Sequence, residues 1–176
     1  MHPSLWTALL LASIGSCDPA QFKHPLSDPA KIKAEPKLTG QWAGHDERTQ
    51  FTMFIGPRED QHLDLLLVGT SPGEGVAQIA WDAFPTTLGG KTYLNLREKE
   101  YADTFGNRFT LKPGYAYIRY ELKGETLKLA YLTSDATEGD GGVPVAGETE
   151  AVAAAVQKLP VGAFKPFITM KRVKGQ

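Results

Sequence analysis

The side chains best suited to chemistry by type and spacing are His45, Asp46 and Glu47, an imidazole followed at once by two carboxylates, with His62 further along the chain. An imidazole beside a carboxylate can move a proton, and two histidines with carboxylates can hold a metal ion. Adjacent residues in a loop point in different directions, however, so the triplet reads as surface loop and the chain as non-enzymatic. No phosphate-binding glycine loop or His-Glu-x-x-His helix occurs anywhere, and Gly69-Thr70-Ser71-Pro72-Gly73, which has Gly-x-Ser-x-Gly spacing, runs into a turn at Pro72-Gly73-Glu74-Gly75. The run Asp135-Ala136-Thr137-Glu138-Gly139-Asp140-Gly141 offers oxygens and glycines to a hard cation. It lacks alternating acidic ligands and a downstream bidentate glutamate, so it reads as a solvated loop, and no metal or cofactor is expected.

A different constellation suggests binding. Tyr115, Tyr117 and Arg119 alternate along one segment and so share one face of a strand, and Tyr93, Asn95 and Arg97 do the same in another. If the two strands are neighbours, aromatic rings and guanidinium forks gather on one surface, the chemistry that anchors recognition sites. The same residues are also ordinary strand composition, stacked for stability.

Strands must position these groups, because from Leu38 onward the apolar residues recur mostly at period two. Phe51, Met53 and Ile55 alternate with polar or outward positions, as do Leu63, Leu65 and Leu67, with Gly56-Pro57 and Arg58-Glu59-Asp60 between them as a hairpin turn. Ile79 and Trp81, then Leu94 and Leu96 after Gly89-Gly90, continue the pattern. Ile118, Tyr120 and Leu122 form the face opposite the tyrosines, and Leu127, Leu129 and Tyr131 follow the turn at Lys123-Gly124. The period changes between Glu148 and Leu159, an Ala- and Glu-rich stretch that predicts a helix stopped by Pro160 and Gly162. Phe167, Ile168 and Met170 begin a last strand. About eight antiparallel strands, with one helix before the last, make a mainly β fold: a barrel or a strongly bent sheet.

The N-terminus has another character. An apolar run from Leu5 to Ala12 leads to Ile14-Gly15-Ser16-Cys17. About ten apolar residues at 1.5 Å each cover roughly half of a ~30 Å hydrocarbon core, too short to span it and right for a signal peptide. Ile14-Gly15-Ser16-Cys17 resembles the lipobox of bacterial lipoproteins, which implies that residues 1–16 are a signal peptide and that Cys17 becomes a lipid-carrying N-terminus. Cys17 is the only cysteine, so no internal disulfide is available and the core alone must hold the fold. Removing the signal leaves 160 residues, the size of one domain. Residues 17–37 carry Pro19, Pro25, Pro29 and Pro36 and few large apolar groups, which predicts a flexible tether between lipid and domain. The alternative is a folded segment packed by Phe22 and Ile32.

Leu38-Thr39-Gly40-Gln41-Trp42 resembles the Gly-x-Trp signature of lipocalin-like barrels, and strand count, length and the late helix resemble that architecture too. The resemblance implies a cup over residues 38–176 for a small apolar or amphipathic ligand; Trp42, Phe51, Met53, Leu65 and Trp81 are equally suited to fill such a cup. The balance of 19 basic and 20 acidic residues, interspersed, argues against a nucleic-acid partner. The expected partners are a membrane, through the lipid on Cys17, and a small apolar ligand or an envelope protein, met at Tyr93, Arg97, Tyr115, Tyr117 and Arg119. The alternative is an envelope structural or assembly factor, or an inhibitor, acting through an exposed sheet face. Asp18 resembles the signal that retains some bacterial lipoproteins in the inner membrane, a rule that differs among bacteria, so either membrane is open.

Overall fold

The structure is a computed structural model that describes residues 20–73, 75–102, 108–109, 114–137 and 142–174. Residues 1–19, where the signal peptide and lipidated Cys17 are expected, and residues 138–141 of the acidic loop lie outside the described residues. The chain runs through β1 (Gly40–His45), β2 (Gln50–Pro57), β3 (Leu63–Ser71), β4 (Gly75–Leu88), β5 (Lys91–Ala102), the two-residue β6 (Arg108–Phe109), β7 (Ala116–Lys123) and β8 (Thr126–Leu132). Helix α1 (Thr149–Lys158) then precedes β9 (Phe164–Arg172). The sheet order is β4-β3-β2-β1-β9-β8-β7-β5-β6, and a further pairing of β4 with β5 closes it. Eight antiparallel strands therefore make a closed barrel, and β6 pairs with β5. Closure satisfies the strand edges that an open sheet would leave free.

Local chemistry explains the turns. Leu88 pairs with Lys91 across Gly89 and Gly90, both with positive φ, the backbone that a two-residue hairpin requires. In α1, Val152 and Val156 lie four apart and are buried together, Glu150 sits in the first turn, and Leu159, the residue before Pro160, ends the helix.

One end of the barrel is sealed. A short 3-10 turn, Pro36–Leu38, places Leu38 beneath Trp42, and the Trp42 indole N–H donates to the Leu38 carbonyl at 2.8 Å. The Arg172 guanidinium lies 4.2 Å above the Trp42 ring and donates to the carbonyls of Thr39 and Lys37. Gly40 has φ +130, and a Cβ there would stand 2.6 Å from an Arg172 nitrogen. The positive φ is what demands glycine in the Gly-x-Trp run, and a side chain there would also displace the end of Arg172.

Inward positions from every long strand form one cluster, including Trp42, Met53, Leu65, Leu94, Leu127 and Met170. Trp42, Leu127 and Met170 have 0% of their surface accessible, which a hollow interior would not permit. The lower barrel is a packed core.

A second cluster lies outside the barrel, where α1 and the N-terminal segment cover the outer wall of β5, β7 and β8. Here the expected tether is corrected. Ala20 N–H donates to the Leu132 carbonyl at 3.0 Å, Phe22 bridges Tyr115, and the Leu26 N–H donates to the Asn95 side chain at 2.6 Å. Phe22 stacks on Tyr117 with ring centroids 4.4 Å apart. Two large anchors and a set of backbone bonds offset the ordering entropy that a proline-rich composition by itself does not meet. The folded unit begins by Ala20 rather than at residue 38.

Candidate functional site

The expected recognition face does exist as one surface: Tyr93 pairs with Arg119 and Asn95 with Tyr117 across β5 and β7. It is not open. Tyr93 and Tyr117 are each 1% exposed, Tyr117 donates to the His24 carbonyl, and Arg119 lies 5.2 Å over the Phe164 ring. Burial pushes both tyrosine hydroxyls above their ordinary range. The face binds the chain's own N-terminal segment and helix.

Arg97 belongs to a separate cluster. Its guanidinium meets the Asp82 carboxylate at 2.7 Å; His62 Nδ1 approaches the other oxygen at 2.7 Å and Arg58 at 3.4 Å. Asp82 is almost wholly buried, and its charge is held on the outer wall by these partners. His62 is thereby committed at the turn joining β2 to β3, near the sealed end, whereas His45 ends β1 at the opposite end.

His45, Asp46 and Glu47, read from the sequence as a surface loop, lie together along one groove. This groove, of about 390 Å³, is lined by 45–50 and 70–72. Within it the Asp46 carboxylate accepts from the backbone N–H groups of Arg48 and Thr49 at 2.8 and 2.7 Å, so it caps its own turn. His45 Nδ1 lies 3.2 Å from the adjacent Asp46 carbonyl. Among the described residues no group of three or more His, Cys, Asp or Glu is placed to hold a metal ion.

At the barrel end opposite the sealed one, its mouth, where β1, β3, β5 and β8 finish, several inward side chains are less completely covered than those below. Leu67 pairs with Ile79 and Leu65 with Trp81, so Ile79 and Trp81 point inward. Ile118, paired to Leu94 and Tyr131, and Phe167, edge-on to Phe51 at 5.8 Å, face the same space. All four are half-buried, unlike the fully buried residues below them. Glu98 pairs with Trp81 beside a β-bulge and turns its carboxyl inward. Burial raises its pKa above the usual carboxylate range, and a hydrogen bond with Trp81 partly offsets this.

Sequence reading singled out Trp81 as interior filling but missed Glu98, Asp82 and Arg58. The available signal for Glu98 was its place on the inward parity of Leu94 and Leu96, a charged residue in an apolar row. Comparison with protein-family models, with curated proteins and with solved structures finds no match. The fold therefore defines the class, a closed eight-stranded antiparallel barrel with one helix before its last strand, as the lipocalin resemblance implies.

Proposed function

We infer that the protein is a lipid-anchored lipoprotein of the cell envelope, lipocalin-like in type. Its barrel takes the apolar part of a small amphiphile at its mouth rather than deep in its interior. The observation that supports this reading best is the half-buried ring of Ile79, Trp81, Ile118 and Phe167 over a packed floor. Apolar walls with one oriented polar group, here the Glu98 carboxyl, suit a ligand with an apolar tail and a hydroxyl or amide at one end. Attachment is assigned to Cys17 by its lipobox-like setting.

A second reading, a partner-binding envelope factor, draws on another observation. Phe54 is 43% exposed on the outer wall, in register with the half-buried Leu66 and, across β3, Ala80. One preparation separates the two. Full-length protein extracted from membranes in mild detergent should carry a small-molecule adduct in native mass spectrometry, and Trp81→Ala with Phe167→Ala should lose it while the circular dichroism spectrum is unchanged. No adduct in any preparation, together with a cross-linked protein that Phe54→Lys abolishes, would overturn the first reading in favour of the second.

A further inference from the structure

The described chain begins at the open end of the barrel. Ala20 is bonded to Leu132, the last residue of β8, and Phe22 is laddered to Tyr115, just before β7, so both contacts lie at the rim. From there the segment descends the outer wall past Asn95 and Thr86 and passes under the sealed end at Leu38. Cys17 is three peptide links from Ala20. Consecutive Cα atoms stand 3.8 Å apart, so those links reach no more than about 11 Å. A lipid on Cys17 would then hold the rim, and not the sealed end, at the headgroups.

Beside this point lies a surface suited to such a position. The Lys23 N–H donates to the Val145 carbonyl at 2.9 Å, which fixes the Pro144-Val145-Ala146 tip next to the incoming chain. All three tip residues are exposed, Val145 by 46%, and the Lys23 side chain is exposed with them. Exposed apolar groups with a neighbouring ammonium match the boundary between acyl chains and headgroup phosphates. The acidic Glu148 is near, within 3.8 Å of His24, so the match is to a phospholipid surface through apolar contact and not to a strongly anionic one.

We propose that the rim of the barrel is a membrane-docking surface, with the Pro144-Val145-Ala146 tip and Lys23 resting on the phospholipid surface so that the mouth opens towards the bilayer. The proposal rests on the lipidation of Cys17 and adds the orientation. An amphiphile leaving the bilayer would then have a short path to the ring at Trp81.

The test uses full-length protein in phosphatidylcholine vesicles containing headgroup-labelled nitroxide lipid, with a fluorophore on either Val145→Cys or Lys123→Cys. Lys123 is exposed at the turn into β8, at the sealed end. The expected result is several-fold stronger quenching at position 145 than at 123; equal quenching, or stronger quenching at 123, would overturn the orientation. The intact mass of the same protein reports acylation. If the acyl mass is absent, the lipidation reading fails by itself, and a nickel-chelating lipid holding a hexahistidine placed just before Asp18 of a Cys17→Ser chain, in which position 145 or 123 carries the only thiol, lets the orientation be measured separately.

Discussion

Trp42 and Trp81 are inward-facing tryptophans of one barrel, each beside a charged residue, and they do opposite work. At the sealed end Trp42 has no accessible surface, its N–H is used on the Leu38 carbonyl, and Arg172 covers its ring. At the open end Trp81 is half-buried, and its partner is Glu98, a titratable group whose pKa burial raises. The same side chain closes one end and leaves the other available. What differs is the completeness of its surroundings, not its chemistry.

The largest expected effect lies at the sealed end: Trp42→Ala should cost about 3–5 kcal/mol in urea unfolding, the range for removing a core tryptophan. Phe22→Ala tests whether the outer cover belongs to the same cooperative unit. It should cost about 3 kcal/mol, the low end of the range for a buried aromatic ring, because Phe22 is buried and stacked on Tyr117, and amide exchange should accelerate at Ala20 and Leu26. Rapid exchange at these amides in the unmodified protein would restore the tether. Trp81→Ala should cost less, about 1–2 kcal/mol for a half-buried ring. A cost equal to that of Trp42→Ala would abolish the contrast between the two ends.

The smallest effect sharpens it. Since the folded state raises the Glu98 pKa above its ordinary 4.5, the folded protein binds more protons than the unfolded chain between that value and the raised one. This contribution to stability is present in full below pH 4.5 and is lost as pH rises through the folded pKa. Glu98→Gln should therefore be more stable than the parent at pH 7 and equal to it at low pH, measured by urea midpoints. Identical midpoints at both pH values would mean that Glu98 is not held in a desolvated mouth.

The barrel was legible because its signals are local. Period-two alternation, the Gly89-Gly90 turn, the break at Gly56-Pro57 and the Ala-rich run before Pro160 each fix an element within a few residues. The cover was not legible, because Phe22, Leu26 and Ala20 gain their stability from Tyr115, Asn95 and Leu132, partners 93, 69 and 112 residues away along the chain. Composition alone cannot report such pairing. Likewise Asp82 has significance only when the sheet brings Arg97, His62 and Arg58 to it. The tyrosines were placed on the correct face, and what covered that face was the part that no local pattern encodes.

The seam between β1 and β9, where Trp42 meets Arg172 and Ala43 meets Lys171, has a consequence for the order of folding. The other barrel ladders join strands consecutive along the chain or separated only by the two-residue β6, so hairpins can form one after another. The seam alone spans nearly the whole domain, and its closure carries the highest loop entropy. Until residue 172 is available the sheet has two free edges and an uncapped Trp42. The final few residues of β9 therefore act as a latch, and the folding rate should be set by how quickly that latch finds the first strand.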